Sequence, residues 1–266
     1  MKKFAISYPS IPEQERIVAK LDVTFAEIDK AIESSIETVD SLRLVLTRLR
    51  DEIFSPDEDE KTIWRSCKLN DILKSPPKNG KSPPKELQSD EGTPLLKLSA
   101  VTGNVFDAKK SIYTKAPVNK MAQYWIENGD LLITRANSRK LVGHVAIVNN
   151  IKEPVMYPDL IMKMRVNEDI VSTKFIHQYL MTSNIREYIM LNATGANPTM
   201  VKINQPVVKN IPVKIPPINI QKNLLELIEK IQTEIIILQN TKLQKQQALI
   251  SLKEAILLQE LQSEAA

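Results

Sequence analysis

The sequence of 266 residues is poor in the residues that build metal and disulfide centres. Its single cysteine, Cys67, excludes an internal disulfide framework, and with only His144 and His177 beside it a zinc site of the Cys/His type is not expected. No apolar run approaches about 18 residues, and no apolar signal core follows Met1. We therefore expect a soluble, cytoplasmic protein.

Glycine is also scarce, with 6 residues against 16 prolines. A glycine-loop nucleotide fold is disfavoured, since neither a P-loop nor a Gly-x-Gly-x-x-Gly string occurs. Residues 56–61 imitate the carboxylates and lysine of a nuclease, but they are crowded into one acidic linker rather than held on rigid elements. His144 is interpreted as a strand residue and Cys67 as a small, half-buried one. We expect no enzymatic activity, no cofactor and no metal.

A long heptad pattern follows Pro12. Apolar residues alternate in steps of four and three, which is the 3.5-residue period of a coiled coil, whereas an ordinary core helix drifts toward 3.6. Ser35 is the one polar residue in the pattern. The predicted seam consists of Leu21, Phe25, Ile28, Ile32, Val39, Leu42, Leu46, Leu49 and Ile53.

A second long helix is predicted after Pro217. Its seam includes Ile235, Leu249, Leu252 and Ile256, with lysines in the middle of the pattern. A neighbouring heptad formed by Leu243, Ile250 and Leu257 leaves open a shift of the seam.

The two helical segments repeat one another at an offset of 207 residues. The repeat pairs Ile6 with Val213, Pro9 with Pro216, Ile11 with Ile218, Gln14 with Gln221 and Leu21 with Ile228. Each copy is predicted to form a short strand, a proline-fixed turn and a long helix. Because neither apolar seam can remain exposed, the two helices are expected to pack together, antiparallel if they do so within one chain.

Between the helices the pattern changes to short β-type runs, notably 131–134, 144–148 and 160–166, with helix predicted around 174–191. The sequence therefore predicts an α+β fold in three parts. These are a helical region at 1–63, a globular domain at 64–212 and a second helical region at 213–266.

Charge is distributed unevenly among these parts. Residues 64–212 contain 21 Lys and Arg against 12 Asp and Glu, a net charge of +9, whereas residues 1–63 carry −5 and the last part is neutral. A basic globule joined to acidic or neutral helices favours a polyanion as partner of the globule and protein as partner of the helices. The alternative is a basic face that only keeps the protein soluble.

Three polar loops in the globule are candidates for nucleic-acid contact. The proline-stiffened stretch 74–85 carries Lys78, Lys81 and Lys85, which suit phosphate binding, although a surface linker has the same composition. The stretch 134–140 joins residue types that read bases to residue types that bind phosphate, and 192–199 is rich in turn residues. Candidates in these two stretches are Arg135, Asn137, Ser138, Arg139, Lys140 and Asn197.

Several motifs in order resemble the specificity subunit of type I restriction-modification systems. They are Ile11-Pro12-Glu13-Gln14-Glu15-Arg16-Ile17, Trp64 with Lys68 to Ile72, Gly129 to Ser138 with Val142-Gly143, Thr194 to Thr199, and Ile211-Pro212 with Pro216-Pro217. The resemblance implies one α/β target recognition domain that reads double-stranded DNA. It further implies helices that pack as an antiparallel coiled coil and bind methyltransferase subunits, and through them the restriction subunit.

The chain departs from this family in having one recognition domain where members usually have two. Its second repeat also has Pro217-Ile218-Asn219-Ile220-Gln221 where the first has Ser10-Ile11-Pro12-Glu13-Gln14. One chain is therefore expected to read one half-site, and a homodimer or another half-length chain to supply the second. The alternative function is a truncated protein that uses its coiled coil to oligomerise or bind partners without productive DNA reading.

Overall fold

A computed structural model describes residues 10–56, 63–119, 121–197 and 199–262, without the side chains of 261 and 262. The chain divides into two compact units. The helical unit contains the residues up to Arg48 and those from Glu229 onward, and the globular unit runs from Leu49 to Ile228. The globular unit thus extends beyond the 64–212 range expected from the sequence, because it includes the end of the first long helix and the start of the last.

Helices α1 to α5 span Ile11–Ile53, Thr173–Leu180, Ser183–Asn192, Gln205–Lys209 and Ile218–Gln262. Strands β1 to β7 span Arg65–Lys68, Leu73–Asn79, Gln88–Ser89, Thr93–Leu96, Ser111–Thr114, Trp125–Ile126 and Leu131–Thr134. Strands β8 to β13 span Ala136–Asn137, Val145–Ile147, Val155–Met156, Ile161–Val166, Val201–Lys202 and Pro212–Ile215. The fold is α+β with a long helix at each end of the sequence, as predicted.

The helical unit consists of α1 up to Arg48 and α5 from Glu229 onward, packed antiparallel. Lys20 Nζ lies 2.5 Å from Glu260 Oε1, and Lys253 Nζ lies 2.8 Å from Asp29 Oδ2, so the start of α1 runs alongside the end of α5. The predicted α1 seam residues are buried or half-buried, including polar Ser35. The predicted heptad positions of α1 thus lie on its less exposed face.

The seam of α5 differs from the prediction in its second half. Leu252 is 48% exposed and lies outside the buried face, while Lys253 is half-buried, with Nζ 4.7 Å from the centre of the Phe25 ring. Leu243 and Ile250, from the neighbouring heptad, are exposed as well. The reason is that long polar side chains such as Lys253 lay their methylene groups along the seam and keep their charge at its edge.

The globular unit is built on two main sheets. One has the order β2-β11-β7-β9 and is antiparallel throughout, and the other has the order β3-β5-β4-β10-β6 with β10 parallel to β4. Strand β7 is buried at every position, because its sheet lies in the core. The apolar runs predicted at 131–134, 144–148 and 160–166 form β7, β9 and β11.

Strand β2 occupies half of the stretch that was predicted to be a loop. Leu73–Asn79 pairs with β11 although it contains Pro76 and Pro77. The register shifts between Lys163 and Arg165, so the two prolines lie at an irregularity of an edge strand, where their missing N–H groups cost no ladder hydrogen bond. Because of these prolines the sequence predicted a loop here, whereas the segment forms strand β2 at the edge of the sheet.

Within the globular unit, the end of α1 and the start of α5 are tied to the sheets. Phe54 packs against Phe175 and Tyr179, with ring centroids 5.1 and 6.3 Å away. Gln221, at the start of α5, is 1% exposed and accepts the backbone N–H of Ser172 at 2.9 Å. The predicted strand before the second helix is β13, which pairs with β1, whereas its counterpart in the first repeat lies outside the described residues.

None of the helices in the described part of the chain combines the length and apolar character needed to span a membrane.

Candidate nucleic-acid interface

The segment carrying Lys78, Lys81 and Lys85 is held against the turn at Tyr157. Gly80 has no side chain at the point of closest approach, since a Cβ there would lie 2.0 Å from the Tyr157 carbonyl oxygen. The Lys81 N–H donates to that same oxygen at 2.9 Å, and the Tyr157 hydroxyl donates to the Lys78 carbonyl at 3.1 Å. Glycine thus allows a backbone contact that fixes where the lysines lie.

The three lysines of this segment are exposed. The Lys81 ammonium lies 5.7 Å from the centre of the Tyr124 ring, and Lys85 begins a short 3₁₀ helix at Lys85–Leu87. None of the three forms an ion pair with any residue in the described ranges. Their positive charges are therefore available to a polyanion.

Arg135 lies beside the same turn. Its backbone N–H donates to the Leu160 carbonyl at 2.7 Å, and its Nη1 donates to the Asp159 carbonyl at 3.3 Å. Asp159 also bonds Ser82 through its carboxylate, so one turn contacts both the lysine segment and Arg135. The structure thus brings two of the three predicted loops together.

Asn137 and Ser138 are held by hydrogen bonds within their own loop and, for Asn137, to Thr102. Asn137 Oδ1 accepts the Ser138 N–H at 2.8 Å, and its Nδ2 donates to Thr102 Oγ1 at 3.3 Å. The Ser138 carbonyl accepts two backbone N–H groups, from Leu141 and Val142. An amide retains one N–H and one lone pair after these bonds, so Asn137 has partial capacity left for a base.

The remaining predicted residues adjoin α3 and β12. Arg139 Nη1 donates to the Met190 carbonyl at 2.7 Å, and the Lys140 carbonyl accepts from Arg186 Nη2 at 3.0 Å. Asn197 Oδ1 accepts the Thr199 N–H at 2.9 Å, which closes the turn before β12. This second group is linked to the first through β8, since β12 pairs with β8 at Asn137 and the Ile203 N–H donates to the Arg135 carbonyl at 2.9 Å.

A charge cluster around the buried Asp130, next to the lysine segment, was missed from the sequence. The Asp130 side chain is 1% exposed; its Oδ1 accepts from Arg165 Nη2 at 2.6 Å and its Oδ2 lies 3.5 Å from Lys163 Nζ. Glu127 also pairs with Arg165. The hydrogen bond from Arg165 and its positive charge lower the pKa of the Glu127 carboxyl. The signal in the sequence was the alternation of Lys163 and Arg165 with apolar residues along β11.

His144 lies in the chain between the loop that carries Arg139 and strand β9. Its Nδ1 accepts the Gly103 N–H at 2.9 Å, so the proton is on Nε2. Burial, and secondarily the charge of Arg186, lower the pKa of His144 to about 4, against a smaller opposing contribution from a hydrogen bond to the Lys140 backbone. The ring is therefore a neutral structural group at pH 7, and His144 lies one residue before β9 rather than within the strand as predicted.

We predict that stability falls on acidification through His144. Because its pKa is lower in the folded state, the stabilising contribution is complete above about pH 6.5 and is lost as pH falls from there toward about pH 4. The loss due to this residue is about 1–2 kcal/mol, less than the full linkage value because the ring is half-exposed. Chemical denaturation of the His144→Asn variant at pH 7 and pH 4.5 measures it. Equal pH dependence in variant and parent would contradict the assignment, since half-buried His177 is present in both.

Within the described residues, no group of three or more His, Cys, Asp or Glu side chains is placed to hold a metal ion. The nuclease-like acidic string, apart from Pro56, lies outside the described residues.

The fold of the chain is that of solved chains from type I R-M systems. A chain from a type I R-M system, solved in a study of its complex assembly and conformational transition, matches with a TM-score of 0.72 at 21% identity. The HsdS subunit from Thermoanaerobacter tengcongensis matches with a TM-score of 0.56, also at 21% identity. Each match covers 96% of this chain and 60% of the other. Because the identity is 21%, the likeness is one of fold.

The particular family follows from the sequence comparison. The model of the type I restriction modification DNA specificity domain matches residues 62–246, and the chain therefore belongs to this family. The EcoEI specificity subunit of Escherichia coli is 25% identical over 65% of this chain and 30% of its own length. The StySPI specificity subunit of Salmonella potsdam is 21% identical over 85% of this chain and 50% of its own length. The chain thus spans half or less of these curated relatives, and the resemblance seen in the motifs is confirmed.

Proposed function

We propose that the chain is a non-catalytic, cytoplasmic recognition subunit that reads one half-site of double-stranded DNA through its globular unit. The observation that carries the proposal is the set of exposed, unneutralised lysines held beside Arg135 by the turn at 157–160. Lysines bind phosphates as point charges, while an arginine with free donors can read a guanine edge. Residues suited to both kinds of contact lie side by side on a domain with a net charge of +9.

We assign separate roles to the two kinds of residue. Lys78, Lys81, Lys85, Arg139 and Lys140 bind phosphates and position the duplex. Arg135 reads a base, and Asn137, Ser138 and Asn197 shape the loops beside it while Asn137 keeps one donor for a base. Arg135 uses one guanidinium nitrogen on the Asp159 carbonyl and retains the others, so donors remain for a base edge.

The helical unit is proposed to bind methyltransferase subunits, and through them the restriction subunit. The exposed surface of this unit supports this role. Apolar side chains on α5, such as Ile236, Leu243 and Ile250, lie outside the seam with α1 and are exposed. Exposed apolar stripes on a helix are typical of protein-binding faces.

A complete bipartite site requires a second recognition domain. The described residues carry one such domain, and we propose that a homodimer or another half-length specificity chain supplies the second. A symmetric homodimer predicts an inverted-repeat target, whereas a mixed pair predicts two different half-sites.

The base-reading role is tested with Arg135→Ala. We expect the variant to lose about 1–3 kcal/mol of discrimination at one base pair while binding of unrelated DNA changes little. Arg139→Ala is the matched control, because it removes the same charge from a residue assigned to phosphate. Competition binding with single-position variants of the selected site measures both, and equal losses on all DNA from the two variants would refute the sorting.

A further inference from the structure

Arg186, on α3, is a half-buried arginine whose charge is not neutralised by the described part of the chain. Its Nη2 donates to the Lys140 carbonyl at 3.0 Å, whereas its Nη1 is buried and has no hydrogen-bond partner among the described residues. No carboxylate in the described ranges forms an ion pair with it. Burial lowers the pKa of Arg186 to about 10, so the guanidinium still carries its charge at pH 7. The globular unit therefore holds a partly desolvated cation without an anion.

Gly143 allows this arginine to lie directly against the loop at 138–143. The φ of Gly143 is +75°, in the left-handed region that favours glycine. A Cβ at this position would lie 2.5 Å from Ile189 Cγ2 and 3.0 Å from Arg186 Nη1. Any larger residue would push α3 away from the loop, so glycine here keeps the guanidinium beside it.

The same loop carries two further cations, Arg139 and Lys140, and both are exposed. Arg139 Nη1 donates to the Met190 carbonyl at 2.7 Å, four residues after Arg186 and on the same side of α3. Neither cation forms an ion pair with a described residue. Three positive side chains thus lie on or beside one loop, an arrangement that favours an anion there.

A purely structural role does not account for the charge of Arg186. A buried ion without a partner costs free energy, and buried polar atoms are normally hydrogen-bonded. The Lys140 carbonyl does not depend on Arg186, since His144 also hydrogen-bonds the Lys140 backbone. The free protein therefore tolerates this charge without needing it.

We propose that the missing counter-ion of Arg186 is a backbone phosphate of bound DNA, held at the 138–143 loop by the charges of Arg139, Lys140 and Arg186. This inference rests on the proposed function, since it adds α3 to the DNA-binding surface of the globular unit. The unpaired charge destabilises the free protein, and the phosphate supplies the partner that it lacks. Loss of the charge should therefore make the protein more stable and its DNA binding weaker.

The test is Arg186→Met in the full chain, which keeps a long side chain and removes the charge. We expect the urea midpoint, followed by tryptophan fluorescence, to rise, because an apolar side chain replaces an unpaired charge. DNA binding near physiological salt should weaken about fivefold on every sequence. The slope of log K against log salt should become shallower by about 0.9, the value for one phosphate contact.

Two further variants isolate the charge and its place. Arg186→Lys keeps the charge and should keep the parental salt slope. Arg65→Met removes the same charge from an exposed position on β1, which pairs with β13 and carries none of the candidate loops, and should leave the slope nearly unchanged. In the double variant Arg186→Met with Lys140→Ala, the loss of binding should be smaller than the product of the single losses, because both residues act on one phosphate.

A Met variant that is less stable than its parent, or that does not fold, would make the guanidinium a structural group and overturn the proposal. Unchanged DNA binding and salt slope in a folded Met variant would overturn the pairing with phosphate. A parent chain that binds DNA without sequence preference would refute the proposed reading function, and the difference in slope would still decide the role of Arg186.

Discussion

Replacement of Asp130 by Ala is expected to lower the free energy of unfolding of the globular unit by about 3–5 kcal/mol, which is the range for breaking a buried ion pair. The carboxylate is almost inaccessible and accepts bonds from Arg165 and from the Glu127 N–H at 2.6 and 2.8 Å. Its removal leaves Lys163, whose side chain is 20% exposed, without its carboxylate. Burying an uncompensated charge is far more costly than losing a surface pair.

Both tryptophans of the chain, Trp64 and Trp125, lie in the globular unit, so their fluorescence during urea denaturation reports on it. Glu127→Ala is the matched control, because Glu127 pairs with the same arginine but its side chain is 69% exposed. The control should cost less than about 1 kcal/mol. Similar losses in the two variants would contradict the structural role assigned to Asp130.

Replacement of Lys78, Lys81 and Lys85 by Ala together is expected to weaken DNA binding by roughly 100-fold near physiological salt, if each lysine neutralises one phosphate. The slope of log K against log salt should become shallower by about 2.7, or about 0.9 per contact. The loss should be the same on all sequences, since these residues carry no base information. Fluorescence anisotropy at four or more salt concentrations measures the slope.

Lys110 and Lys115 provide the control for total charge. Their ammonium groups lie 3.8 Å from Asp107 and 2.8 Å from Glu91, so they are already neutralised within the globular unit. Alanine at both positions should leave the salt slope nearly unchanged. A slope change equal per lysine to that of the triple variant would mean that diffuse charge, rather than the segment at 78–85, governs binding.

The sequence was most informative where one periodicity extended over many residues. The heptads of α1 and the proline turn before α5 predicted the two helices and their antiparallel packing, because burial of one stripe leaves few alternatives. The prediction that Leu252 lies in the seam was wrong, because a helix rich in Lys and Gln has more than one possible packing face. Contacts of Lys253 with Phe25 and Asp29 place Lys253 at the seam instead.

The candidate site was predictable in composition and not in geometry. The clustered lysines and the stretch 134–140 predicted which segments are candidates for nucleic-acid contact. Which of these segments lie close together depends on strand pairing, which the sequence pattern does not show. Pro76 and Pro77 concealed strand β2, since proline is rare in strands except at edges and irregularities. The buried role of Asp130 depends on residues 33 and 35 positions away on β11, a separation that no local pattern reveals.

The central claim is that this chain selects a DNA sequence through its single recognition domain. Selection of randomised duplex DNA by the purified chain, followed by sequencing of the retained fraction, tests it most directly. We predict enrichment of one short motif, lost at one position in Arg135→Ala and retained at weaker overall binding in the triple lysine variant. Retention of DNA without any enriched motif would contradict the account.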